Sequence, residues 1–188
     1  MSDPFFFGYG SLVNRTTHAY GEAYHASVTG WARAWMHTDL RDVAYLTAVP
    51  TPGVAIEGLI AGVPAGDWAA LDEREFGYDR HALAEEISHA APRPIAAQLY
   101  AVPRARATAP GYEHPILLSY LDVVVQGYLR EFGEGGAQRF FVTTHGWDAP
   151  VLDDRADPRY PRHRVLTASE RGFVDDALTG LGARVRRG

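Results

Sequence analysis

Phe5-Phe6-Phe7-Gly8-Tyr9-Gly10-Ser11-Leu12 is an apolar run that stops in a glycine-flanked turn. Three consecutive phenylalanines predict a short buried strand, because a run apolar on both faces cannot leave either one in water. Gly8 and Gly10 then let the backbone turn sharply and bring its N–H groups close to a neighbour, with no Cβ in the way. Such a turn either holds an anion or polar ligand or is a plain strand-to-helix turn, and the glycines alone leave both readings open.

Downstream, Asp67-Trp68-Ala69-Ala70-Leu71-Asp72-Glu73-Arg74-Glu75-Phe76-Gly77 predicts a helix of about three turns, with Asp67 as N-cap and Gly77 as stop. At about 100° per residue, Leu71 and Glu75 fall roughly 60° and 20° from Trp68, so Glu75 shares the inward stripe with two apolar side chains. Glu73 and Arg74 point elsewhere. A carboxylate on that stripe costs free energy unless it is paired or neutralised. It is either a salt-bridged core residue or a group held for chemistry.

Between these segments, Leu12 to Gly21 reads as a short helix or loop, and Tyr24 to Thr38 as one bent strand or two, broken near Gly30. Val43 to Val49 and Val54 to Val63 form a predicted hairpin around the turn signal Pro50-Thr51-Pro52-Gly53. Tyr78 to Ala90 and Pro94 to Val102 are strand candidates. Ile116, Leu117, Tyr120, Leu121, Val124, Tyr128 and Phe132 recur at three and four, which predicts an amphipathic helix over Pro115 to Phe132 with Gly133 beyond its end. Arg139 to Thr143 is read as a last strand and Thr167 to Leu181 as a C-terminal helix. Strands first and helices later, without βαβ alternation, predict an α+β fold. Residues 1–188 are read as one domain, with 133–188 as a C-terminal extension.

The 188 residues suffice for a substantial core, since a chain of this size buries about 70% of its unfolded surface. A net charge of −5 without runs of like charge argues against nucleic acid and anionic membranes as partners. The chain has no cysteine and no lysine, which excludes thiol nucleophiles, cysteine-ligated metals and Schiff-base chemistry. Ser2-Asp3-Pro4 before the first phenylalanine lacks the marks of a secretory signal, so a cytoplasmic location is expected. Nothing in the sequence sets the oligomeric state.

Other motifs are weaker. A dinucleotide loop starting at Gly8 and Gly10 needs a third glycine where the chain has Val13. The eight histidines are scattered, with no pair at metal-ligand spacing on a helix, so no metal is expected. Ser11 lacks the flanking glycines of a hydrolase nucleophile elbow. Arg155, Arg159, Arg162 and Arg164, interleaved with Asp153, Asp154 and Asp157, are either a solvated loop held by its own ion pairs or a clamp for a substrate carboxylate. The tail Arg184 to Arg187 is read as solvated.

Taken together, Tyr9-Gly10-Ser11-Leu12 and Leu71-Asp72 with Glu75 and Gly77-Tyr78 resemble the gamma-glutamyl cyclotransferase superfamily, including its ChaC-like branch. The match runs from about Phe5 to Val102. The ChaC-like branch commonly has Trp shortly after the turn, where this chain has Val13-Asn14, so the choice of substrate stays open. The resemblance implies a mixed, closed or nearly closed β-sheet with surrounding helices. It also implies cofactor-free cyclisation of a small γ-glutamyl compound (glutathione, a γ-glutamyl peptide or a γ-glutamyl amine) to 5-oxoproline. In that reading Glu75 is the general acid/base, Tyr9, Gly10, Ser11 and Leu12 cradle the substrate, and Tyr78 lines the pocket. A non-catalytic binding module for a small carboxylate is the alternative.

Overall fold

The computed structural model of the chain describes residues 3–83 and 86–187; the start of the N-terminal segment, read above for a secretory signal, lies outside them. In chain order the elements are β1 (Asp3–Gly8), β2 (Tyr24–Met36), β3 (Tyr45–Gly62), α1 (Ala69–Arg74), β4 (Asp79–Leu83), β5 (Ile87–His89), β6 (Ile95–Ala101), β7 (Ile116–Leu117), α2 (Leu118–Val142), β8 (Thr144–His145), β9 (Val151–Asp153), α3 (Ala168–Gly180) and β10 (Val185–Arg187). Two 3-10 turns, Ser11–Val13 and Arg15–Thr17, follow β1.

Among the described residues the main sheet has the order β4-β6-β1-β3-β2-β5, with β8 added on β2. β1 is parallel to β6 and antiparallel to β3, so the sheet is mixed. The ends of this order are β4 and β5, so the sheet curls as a half-barrel and is nearly closed rather than closed. A second, three-stranded sheet has the order β10-β9-β7.

β1 is covered on both faces, as its composition demands. Phe5 and Phe7 enter the large core with Leu121, Val124 and Tyr128 of α2. Phe6, pointing the other way, joins a smaller cluster with Leu12, Leu71 and Tyr100. Successive side chains of one strand thus join two layers, with α2 over one face and Leu12 and α1 over the other, while Val13 and Asn14 of the 3-10 turns pack on α2.

Several expectations are corrected. The segments on either side of Pro50-Thr51-Pro52-Gly53 do not pair with each other. Both pair with β2, and β3 runs through as one 18-residue strand. The register steps from Trp31 opposite Pro50 to Thr29 opposite Ala55, with Gly30 (φ 85°) and Gly53 (φ 82°) on the two sides of the bulge. A proline-rich bulge bends the strands without demanding the N–H groups that proline lacks. The predicted helix at 67–77 shortens to α1. Tyr78 to Ala90 becomes β4 and β5, with residues 84 and 85 outside the described ones.

The long helix starts at Leu118 rather than Pro115, because Ile116 and Leu117 pair with β9. Gly133 (φ 66°) interrupts it, and the helix then resumes through the predicted strand at Arg139 to Thr143. The reason is the spacing of Ala137, Phe140 and Phe141, which puts all three in the core on one helical face. Arg184, Val185 and Arg187 are exposed, as expected of the tail, while the backbone from Val185 to Arg187 pairs with β9 as β10. α3 begins in a capping box: Thr167 Oγ1 accepts from Glu170 N (3.2 Å) and Glu170 accepts from Thr167 N (2.8 Å). No helix among the described residues is long and apolar enough to cross a membrane.

Candidate active site

The turn after β1 is held from behind. The Tyr9 carbonyl points inward, accepting from Arg33 Nε (3.1 Å) and lying 2.9 Å from the Tyr128 hydroxyl. The Tyr9 hydroxyl donates to Tyr100 O (2.5 Å) and accepts from Ala48 N (3.0 Å). Main chain and side chain of Tyr9 are therefore fixed separately, and burial pushes its phenol well above the ordinary range.

Neither glycine of the turn has a positive φ; close approach is what requires them. A Cβ on Gly8 would meet Leu12 Cβ at 2.6 Å, because the 3-10 turn folds back over β1. One on Gly10 would meet the Tyr120 hydroxyl at 2.8 Å and Leu46 Cδ2 at 3.4 Å. Gly8→Ala is expected to destabilise by about 1–3 kcal/mol. Gly10→Ala should cost less, since it displaces the end of a side chain. Gly172→Ala, in open space on α3, should be neutral or stabilising by up to about 1 kcal/mol. Urea-melt midpoints of the three variants check this ranking.

Glu75 is the C-cap of α1, with φ −93° and ψ 30°, and has already left the helix. That departure matters, because adjacent residues within a helix do not face each other. Here Arg74 Nε lies 3.2 Å from Glu75 Oε1, with the two side chains only 8% and 17% exposed. Arg74 also donates to Thr17 O (3.0 Å) and Thr17 Oγ1 (3.1 Å), and its Nη2 lies 3.5 Å from Ser11 Oγ. The expectation that Arg74 points elsewhere is thus wrong: this residue links the acid to the glycine turn. Burial pushes the Glu75 carboxyl up, against the opposing pull of Arg74 and then of Arg162.

The other positions of the second motif do structural work. Leu71 is fully buried beside Phe6, and Asp72 accepts from the Tyr100 hydroxyl (2.6 Å) and pairs with Arg80 (3.0 Å). Gly77 (φ 96°) turns the chain into Tyr78, whose hydroxyl donates to Leu46 O (3.0 Å).

All six residues singled out in the sequence meet at one cleft. Its inner chamber is lined by residues 7–12 together with Leu46, Glu75, Tyr78, Tyr100 and Tyr120. It adjoins an outer part that shares Ser11, Leu46, Glu75, Tyr78 and Tyr120 and adds Arg41, Arg74, Tyr160 and Arg162. Glu75 stands at the junction.

Tyr120 is the residue that sequence reasoning missed. Its hydroxyl stands against the turn, 2.8 Å from where a Cβ on Gly10 would lie, and burial raises its pKa well above the ordinary range. Its place on the apolar stripe of α2 reads as core, yet a tyrosine there needs a partner for its hydroxyl, and that was the available signal. Among the described residues no group of side chains has the make-up of a metal site.

A curled mixed sheet whose first strand ends in a glycine turn facing a buried carboxylate is the gamma-glutamyl cyclotransferase-like architecture. The chain belongs to the family described as Gamma-glutamyl cyclotransferase, AIG2-like, which matches residues 6–130. Among solved structures, one titled Gamma-glutamyl cyclotransferase has a TM-score of 0.55 at 13% identity, covering 92% of this chain and 98% of that one. An uncharacterized protein from Homo sapiens gives 0.56 at 13% identity, over 91% and 97%. YkqA from Bacillus subtilis gives 0.50 at 16%, over 78% and 57%. At these identities the likeness is one of fold. No curated protein matches the chain by sequence.

Proposed function

We propose that the chain cyclises γ-glutamyl compounds to 5-oxoproline, releasing the attached amine, with Glu75 as the acid/base and the turn at Tyr9 to Leu12 as the substrate cradle. The observation that carries this reading is the placement of Glu75: a largely buried carboxylate with a raised pKa, at the junction of two cleft compartments and opposite the glycine turn. In the reaction the α-amine of the γ-glutamyl group bonds to its own γ-carbonyl carbon while Glu75 takes the amine's proton. The bond from that carbon to the leaving nitrogen then breaks, and Glu75 returns the proton to the leaving amine. Nucleophile and electrophile share one molecule, so holding the substrate folded supplies much of the rate.

The Ser11 amide and the Tyr120 hydroxyl are the groups placed to meet negative charge, either the substrate carboxylate or the oxygen of the tetrahedral intermediate. Measured 5-oxoproline release from γ-glutamyl peptides and amines tests the proposal. Thermal stabilisation by glutamate or 5-oxoproline without turnover of any γ-glutamyl compound would favour a binding module instead.

The pH dependence follows from the charges around Glu75. As a base it must be ionised, and burial raises its pKa, so the acid limb of kcat/KM should lie above the ordinary carboxylate range. Arg74 favours the ionised form, so Arg74→Gln should move that limb to higher pH. A pH–rate profile of the two proteins on one substrate is the check; an unmoved limb assigns it to another group.

A further inference from the structure

We infer that Arg162, assisted by Arg41, binds a carboxylate carried by the leaving amine, so that the chain prefers γ-glutamyl amino acids and peptides to γ-glutamyl amines that lack one. This rests on the cyclotransferase reading and narrows its substrate class.

The first observation is that the outer part of the cleft holds two arginines without a carboxylate partner among the described residues. The chain is acidic overall, with a net charge of −5, and many of its arginines pair with carboxylates, as in Arg15 with Glu131, Arg139 with Glu57 and Arg155 with Asp122. At the outer cleft Arg74 is likewise paired, with Glu75. Arg41 and Arg162 are different. Among the described residues neither guanidinium makes an ion pair or a hydrogen bond; Arg41 rests 5.9 Å from the centroid of the Tyr45 ring. Both line the outer part and not the inner chamber.

The second observation is that Arg162 is held in place. Asp154, buried beside the start of α2, accepts from Ser119 N (2.8 Å), Ser119 Oγ (2.6 Å) and Arg159 N (2.9 Å). Tyr160 N donates to Ser119 Oγ (3.2 Å), and the Tyr160 ring packs edge-on against Tyr120 at 5.0 Å. On the other side Arg164 Nε donates to Thr16 Oγ1 (3.1 Å). Arg162 sits between these two anchors, half-buried, with its side chain at the cleft. Its segment lies beyond residue 130, where the family match ends.

With the γ-glutamyl group in the inner chamber and its γ-carbonyl near Glu75, the substituent on the leaving nitrogen extends into the outer part. A guanidinium there meets a carboxylate through paired, charge-assisted hydrogen bonds, which an uncharged alkyl group cannot accept. Such a contact is worth about 10- to 100-fold in kcat/KM.

The test compares γ-glutamylalanine with γ-glutamylethylamide, which differ only in the carboxylate, by initial rates of 5-oxoproline release. The native protein should favour γ-glutamylalanine by about tenfold or more. Arg162→Gln should reduce that ratio about tenfold, mainly through KM, with a smaller reduction in Arg41→Gln, whose side chain is more exposed. Arg162→Glu should lower it further than Arg162→Gln. A native ratio near one, or a ratio that stays the same in Arg162→Gln while both substrates slow equally, overturns the inference and leaves the cyclotransferase reading intact. In that last outcome Arg162 binds the carboxylate common to both substrates. No 5-oxoproline from either compound overturns the underlying reading and the preference with it.

Discussion

Glu75→Gln is expected to fold and to lose turnover of γ-glutamyl substrates by about 10²–10⁴-fold, the usual worth of a positioned acid/base. Gln keeps the shape of Glu and retains an oxygen that can accept from Arg74 Nε, now 3.2 Å from Glu75 Oε1. What it cannot do is take a proton from an amine and hand it on. Stability should fare better than activity. Because burial raises the Glu75 pKa, the folded chain holds that proton more tightly than the unfolded chain. Ionising the carboxyl therefore lowers stability as pH rises from the unfolded pKa to the folded one, and the loss persists above that window. Gln removes this penalty, which offsets the weaker contact to Arg74. A thermal melt beside the activity assay separates the two effects. Full turnover by a folded Glu75→Gln protein would remove Glu75 from the chemistry.

Arg33→Met is expected to be among the most destabilising single changes, at about 2–5 kcal/mol. Arg33 lies in β2 and is 1% exposed. Among the described residues it has no carboxylate partner. Its charge is met by the Tyr9 and Glu57 carbonyls, by Thr143 Oγ1 (2.8 Å) and by the Tyr128 hydroxyl (2.5 Å). The guanidinium also stands over the Tyr128 and Phe140 rings, 4.9 Å and 5.3 Å from their centroids. Exchanging a buried charge for an apolar side chain can be neutral when its partners go too. Here the partners include backbone carbonyls, which no substitution removes, and the single Tyr128 proton can serve only one of them. Loss of hydrogen bonds to buried carbonyls therefore outweighs relief from desolvation.

For a chain of this length the change corresponds to a fall in Tm of about 5–15 °C. Arg33→Lys should recover little, since an ammonium lacks the planar fork that reaches several acceptors at once. A Tm within about 2 °C of native in Arg33→Met would show that the carbonyls are satisfied without it.

These two residues differ in how far the sequence reveals them. Glu75 is legible because a carboxylate in the company of Trp68 and Leu71 is unusual, although α1 ends at Arg74 and helical spacing does not itself set its direction. Arg33 carries the same kind of signal in strand spacing, between Trp31 and Trp35 on one face. The run around Gly30, read as one bent strand or two, did not expose that alternation. Arg74 is hidden for a different reason: helical spacing turns it away from Glu75, whereas the chain leaves the helix at Glu75 and brings the two side chains together.

By itself the sequence determined the buried first strand, the glycine turn, the amphipathic first part of α2 as far as Gly133 and the α+β class. All of these rest on local periodicity or on the conformational needs of single residues. Tertiary structure alone decided that Pro50 to Gly53 is a bulge rather than a hairpin turn, because the choice depends on which strand both flanks pair with. It alone brought Tyr120, from α2, to the glycine turn, and Tyr160 and Arg162, from beyond β9, to the same cleft as Glu75. Those residues lie more than a hundred positions from the turn, and no pattern within a window of sequence records contacts made by the closing of a core.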